Sequence, residues 1–122
     1  MDNHFSIVRR LQSVAYAIDG LNYMLKTQHN AWLHLVISLI IITAAGWLKI
    51  SANDWRWLMA AITLVWFAET INTAFEFVCD VVSPEYHANV KAAKDIAAGA
   101  VLICALAAAL LGGLIFWPYI TA

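Results

Sequence analysis

Three long apolar stretches, Trp32–Leu48, Trp55–Val82 and Ile96–Ile120, dominate this 122-residue chain and leave it few folds to choose from. A segment that crosses the roughly 30 Å hydrocarbon core must satisfy its own backbone N–H and C=O groups, so it is a helix or part of a closed barrel. Unbroken apolar runs without strand-like alternation specify helices. Composition agrees: the chain is 63% hydrophobic and 12% charged, with mean hydropathy +0.74, far from the balance of a soluble domain. The expectation is an all-α integral membrane protein, one domain over residues 1–122, with spans at about 31–48, 55–82 and 94–120. The first run is short for a span and carries His34. The second is overlong at roughly 42 Å of helix, so its C-terminal half emerges from the hydrocarbon core. Trp32, Trp47, Trp55, Trp57, Trp117 and Tyr119 cluster at the ends of these runs, as an interfacial belt does.

Ahead of the first span, Ile7, Leu11, Val14, Ile18, Leu21 and Leu25 recur at helical spacing, with Arg9, Arg10, Gln12, Asp19, Asn22 and Lys26 on the polar faces. Residues 5–28 therefore read as an amphipathic helix, lying in the membrane surface or capping the bundle. The opening residues Met1–Phe5 lack the basic-then-apolar order of a cleavable signal. Lys49–Asp54 and Ser83–His87 are the short connections, and Pro84 breaks the second. Arg9, Arg10, Lys26, Lys91 and Lys94 fall on one side and Lys49 and Arg56 on the other, which places the N-terminus in the cytoplasm. Cys79 and Cys104 read as buried apolar residues, and the dispersed lysines and arginines exclude a nucleic-acid footprint.

The second span is not uniformly apolar. Glu69, Asn72, Glu76 and Asp80 lie within an arc of roughly 80° at about 100° per residue. Carboxylates at membrane depth are costly and mark function. Glu76 and Asp80, with Glu85, Tyr86, His87, Lys91, Lys94 and Asp95, should gather at the cytoplasmic interface beside Arg9, Arg10 and Lys26. Carboxylates among cations at that level suit Mg²⁺ and a polyphosphate, the metal taking one or two carboxylates and leaving positions to phosphate oxygens. Glu69 lies about two turns deeper, where it suits a general base accepting the proton of a lipid hydroxyl. A bundle-stabilising ion pair such as Glu76 with Lys94, and a merely solvated Asp80, are the plainer alternatives. No G-x-x-x-x-G-K-[ST] occurs and the five glycines form no phosphate loop, so a nucleotide would be held by side chains at helix ends. Ala97, Ala105, Ala109 and Gly113 form a small-residue ladder in the third span, a pattern that favours close helix packing.

Glu69-Thr-Ile-Asn72-Thr-Ala-Phe-Glu76-Phe-Val-Cys-Asp80 resembles the E-x-x-N-[ST]-A-[IF]-E-x-x-x-D signature of the small bacterial membrane diacylglycerol kinases and undecaprenol kinases. Ser83–His87 and Lys94–Val101 are similar to the family's following blocks, and the likeness runs from about Arg9 to Phe116. The resemblance implies a homotrimer in the bacterial cytoplasmic (inner) membrane, each subunit with a surface helix and three spans. The implied activity is ATP- and Mg²⁺-dependent transfer of the γ-phosphate to a lipid alcohol, diacylglycerol or undecaprenol. By position, Glu69 resembles the catalytic base, Glu76 a metal ligand and Asn72 its support. Lys94, Asp95, Glu85, Tyr86 and His87, with Arg9 and Tyr16 from the surface helix, look like the nucleotide side. Arg9, Glu69 and Ala98 correspond to the lipid side. Gln28 departs from the pattern, standing where the family carries a second metal-ligating and nucleotide-side Glu. An amide still offers a carbonyl oxygen but no charge, so metal affinity should fall. It marks an engineered substitution, a natural variant that uses another acid, or a member with weakened or lost activity. Outside the kinase class stands a non-enzymatic, ion-conducting oligomer whose carboxylates line a shared pore. The Lys94, Asp95, Tyr86 and His87 group has no evident use in such a pore.

Overall fold

A computed structural model of the chain describes residues 4–122; residues 1–3 of the expected domain lie outside the described residues. Four helices follow one another: α1 (Ile7–Thr27), α2 (His29–Leu48), α3 (Ala52–Val82) and α4 (Ala88–Thr121). The last three are long and apolar enough to cross a membrane. Each expected span lies inside one of them, and α3 and α4 begin ahead of their apolar runs because side-chain caps set their starts.

Those caps are local chemistry. Ser6 accepts from the Arg9 amide and starts α1, and Ser51 accepts from the Asp54 amide at 3.1 Å and starts α3. His87 does the same for α4, its Nδ1 accepting from the Asn89 amide at 3.2 Å. That cap starts α4 at Ala88, six to eight residues before the apolar run, so Lys91, Lys94 and Asp95 stand on helix and not in a loop. Between α1 and α2 the helical path breaks at one residue, Gln28, whose backbone is extended (φ −117°, ψ 116°).

The α2–α3 turn is a Schellman motif with lysine in the position glycine usually takes. Lys49 is left-handed (φ 53°, ψ 52°), its amide donates to the Gly46 carbonyl, and the Ile50 amide donates to the Ala45 carbonyl, both at 3.3 Å. The accompanying apolar contact is the core itself, because Ala45, Ile50, Leu58 and Ile115 form its buried cluster. Tyr119 closes this end. Its hydroxyl accepts from the Ser51 amide at 2.8 Å and donates to Asp54 Oδ2 at 2.6 Å, tying the end of α4 to the start of α3.

α3 and α4 pack along one another as an antiparallel pair, while α1 and α2 touch α3 lightly. α1 is anchored by its C-terminal turns: Met24 is buried, and the Tyr23 and Phe77 rings lie 5.8 Å apart. Where α2 stands off from α4, a cavity of about 490 Å³ opens among α2, α3 and α4. Ala105, Ala109 and Gly113 of the small-residue ladder line it, and a β-carbon built on Gly113 meets nothing within 4 Å. The expectation of close helix packing along this ladder is therefore corrected: within one chain it borders open space. Cys79 is buried, Cys104 half-buried, and both are free thiols.

Candidate functional site

Depth orders the polar residues of α3. Measured from the α2–α3 turn at 1.5 Å per residue, Glu69 stands roughly 26 Å along α3 and Glu76 roughly 36 Å. By the same measure Gln28, at the far end of α2, stands at roughly 30 Å, between the two. Met24 and Tyr23 against α3 on one side of Gln28, and His34 against α3 on the other, hold the α1–α2 junction at this level.

Glu69 is 4% exposed, so a single chain encloses it. The enclosure comes from α2: His34 Nε2 lies 3.4 Å from Glu69 Oε2, and the His34 ring stands edge-on to Trp66 at 6.2 Å. Trp66 is fixed in turn by its indole N–H, which donates to Ser38 Oγ at 3.0 Å. His34 and Ser38, one turn apart on α2, thus engage Glu69 and Trp66 on α3. The approach of Glu69 and His34 was not legible in the motif, since His34 lies outside all of its blocks. The one signal was a histidine inside an apolar run.

Asn72 and Thr73 are also buried, and Asn72 Oδ1 has no hydrogen-bond partner. Buried polar atoms are nearly always satisfied, so an orphaned carbonyl oxygen one turn from Glu76 is available to accept from a ligand or to coordinate a cation. Glu76 itself is half-buried. The plainer alternative of a Glu76–Lys94 ion pair is not what forms: Lys94 Nζ lies 2.5 Å from Asp80 Oδ1. Asp80 is therefore a paired end residue and not simply a solvated one, though 63% of its side chain remains exposed. Asp95 pairs with Lys91 at 2.6 Å within the same helix. Both pairs are exposed, contribute little to stability and exchange partners readily.

The other expected residues spread over the open end. Glu85, Tyr86 and His87 are exposed between α3 and α4, and Ser83 Oγ donates to the Glu85 carbonyl at 2.9 Å to shape that turn. Arg9 and Tyr16 are exposed on α1, and Ala98 is exposed on α4. Gln28 is half-buried, and its amide donates weakly to Thr27 Oγ1 at 3.4 Å. The chain thus brings half-buried His34 to buried Glu69, with buried Asn72 one turn further along α3, and forms two separate pairs toward the open end, Asp80 with Lys94 and Lys91 with Asp95. Arg9 and Tyr16 make no side-chain hydrogen bond or ion pair to any of them among the described residues. Nor do three or more His, Cys, Asp or Glu converge into a ready metal centre there.

The chain is similar to known proteins over most of its length. The family model for prokaryotic diacylglycerol kinase matches residues 15–116. A diacylglycerol kinase of Synechocystis sp. is 41% identical over 109 residues, which cover 88% of this chain and 62% of that longer protein. The undecaprenol kinase of Bacillus subtilis is 29% identical over 117 residues, 96% of this chain and 95% of that one. The diacylglycerol kinase of Escherichia coli is 29% identical over 109 residues, covering 84% and 89%. The buried carboxylate on α3, the three membrane-length helices and this match over most of the chain lead to one assignment: the protein belongs to the prokaryotic diacylglycerol kinase family, a family of lipid phosphotransferases.

Proposed function

We propose that the protein is an ATP- and Mg²⁺-dependent kinase of a membrane lipid alcohol, diacylglycerol or undecaprenol, acting in the bacterial cytoplasmic membrane with its N-terminus inside. The carrying observation is Glu69, a carboxylate 4% exposed on a membrane-length helix that has no structural need of an acid at that depth. The lipid hydroxyl reaches Glu69 from the bilayer and gives its proton to the carboxylate. The freed oxygen forms the new bond to the γ-phosphorus as the bond from that phosphorus to the β,γ-bridging oxygen breaks, and ADP leaves. Little covalent chemistry is asked of the protein, so positioning and charge neutralisation supply most of the rate.

Lys94, Asp95, Glu85, Tyr86 and His87 hold the nucleotide from the open end, and Arg9 and Tyr16 complete that side from α1. Arg9 also orients the lipid headgroup, beside Ala98. Lys94 exchanges its exposed carboxylate for phosphate. The residues at mid-stripe fit magnesium: the orphaned Asn72 Oδ1 and the half-buried Glu76 are hard oxygen donors, and Mg²⁺ takes few protein ligands when phosphates supply the rest. Glu76 and Gln28 would hold it, with Asn72 in support, and when bound it would neutralise charge on the phosphates. Gln28 makes that hold weaker than a second carboxylate would.

The large apolar side chains left exposed on α2 and α4, among them Trp47, Leu110 and Leu114, support a trimer in which neighbours and lipid cover these faces. Separate placement of Arg9 and Tyr16 supports sites shared between subunits. The exposed apolar positions Ile7, Leu11, Val14 and Ile18 support α1 lying in the membrane surface. The test is transfer of labelled phosphate from ATP to diacylglycerol and to undecaprenol in mixed micelles, with and without Mg²⁺. Transfer to either lipid, lost in Glu69→Ala, is the expected result; unchanged transfer in that variant overturns the role of Glu69.

A further inference from the structure

The kinase reading leaves His34 unused, yet its imidazole is the one basic side chain at Glu69. Among the described residues, no other ion pair involves Glu69. The two side chains are 18% and 5% exposed, so their interaction is poorly screened by water. The ring is not free to wander. It stands edge-on to Trp66 at 6.2 Å, and Trp66 is tethered to Ser38, one turn beyond His34 on the same helix. His34 also lines the cavity among α2, α3 and α4, whose remaining walls are apolar apart from Ser38. The imidazole thus faces both the carboxylate and an apolar space of about 490 Å³.

We propose that His34 is a positioning residue for phosphoryl transfer, its Nε2–H donating to the Glu69 carboxylate and aiming the second carboxylate oxygen at the lipid hydroxyl. This rests on the kinase reading above. A carboxylate that is to meet an incoming hydroxyl must be kept from rotating away from it. One directed donor does this by engaging one oxygen and leaving the other free to accept a proton. The 3.4 Å separation is longer than a tight hydrogen bond, as catalytic contacts often are before substrate is in place. His34 does not exchange a proton with the substrate; it acts through Glu69, and the proton of the lipid hydroxyl ends on Glu69.

A variant cycle separates this from a packing role. Initial rates of ATP-dependent phosphorylation are measured over ranges of ATP and lipid for the unaltered protein, His34→Leu, His34→Gln, Glu69→Gln and the double variant His34→Leu/Glu69→Gln. His34→Leu should lower kcat about a hundredfold, the scale of a misoriented reacting group, with KM for ATP within about twofold. His34→Gln, which keeps an N–H donor near the same place, should recover about tenfold of that loss. The double variant should be no slower than Glu69→Gln alone, because a residue that acts through Glu69 has nothing to act on once the carboxylate is gone. A further loss in the double variant, or His34→Gln no better than His34→Leu, overturns the positioning role. If His34→Leu is misfolded, its ATP KM changes and the double variant falls below Glu69→Gln, which also counts against it. No phosphorylation of either lipid by the unaltered protein overturns the kinase reading itself. Full activity in His34→Leu beside a dead Glu69→Gln leaves the kinase standing and removes His34 from it.

Discussion

At the α2–α3 end of the bundle an acid is fully committed; at mid-depth, on the same helix, another is not. Asp54 receives the Tyr119 hydroxyl at 2.6 Å, and the same hydroxyl takes the Ser51 amide, so the polar groups there satisfy one another over a closed apolar cluster. Glu69 has His34 at 3.4 Å, and one turn further Asn72 Oδ1 has nothing. Toward the far end the groups are exposed, and Lys94 and Asp95 hold partners they can exchange. Saturated polar groups stabilise a fold and offer little to a ligand, whereas buried unsaturated ones are costly unless a ligand completes them. The contrast divides a helix of uniform appearance into a part that holds the bundle together and a part built to receive something.

Substitutions at the two ends should separate accordingly. The largest effect belongs to Glu69→Gln, which should reduce phosphoryl transfer by about 10²- to 10⁴-fold, the range of a lost general base, with ATP binding little changed. Equal loss of ATP binding, seen by titration, would break the assignment of Glu69 to the lipid side. Next comes Lys94→Ala, expected to raise KM for ATP about tenfold through loss of a charge-assisted phosphate contact. Asp80→Asn removes only its exposed partner, so a comparable rise there would show that the ion pair itself, and not the free cation, serves the nucleotide. Gln28→Glu should increase activity several-fold at limiting Mg²⁺, approximately, and converge with the unaltered protein at saturating metal. Identical Mg²⁺ titrations would remove position 28 from the metal site. The smallest effect on rate is that of Tyr119→Phe. It should leave kcat unchanged while lowering stability by about 1–2 kcal/mol in thermal or denaturant unfolding, because the Ser51 amide and Asp54 lose their shared partner. A large loss of activity would mean that the two ends are coupled.

The membrane-length helices were legible because apolar length is a local property, and the caps at Ser51 and His87 follow from side chains two or three residues from the amides they satisfy. So was the α3 stripe, since helical periodicity alone aligns Glu69, Asn72 and Glu76. Pairings across helices were another matter. Glu76 and Asp80 lie one turn apart on the same arc, and nothing in their order says which of them Lys94 meets. The choice of Asp80 depends on how α4 leaves the Ser83–His87 turn. The small-residue ladder misled for a related reason: it describes what a helix face permits, and whether a neighbour comes close is decided by where α2 is held.

By itself the sequence determined that this chain lives in a membrane as helices, that its one polar stripe lies on the second span, and, through its motif blocks, which family it belongs to. These are properties of composition, period and local order, and they need no knowledge of which faces meet. Only the tertiary structure decided that a single chain buries Glu69, that His34 is the group set against it, and that Tyr119 locks the opposite end. Those contacts join residues that are 35 and 65 apart in sequence. Such distances are bridged by the packing of α2 and α4 on α3, which no segment contains alone.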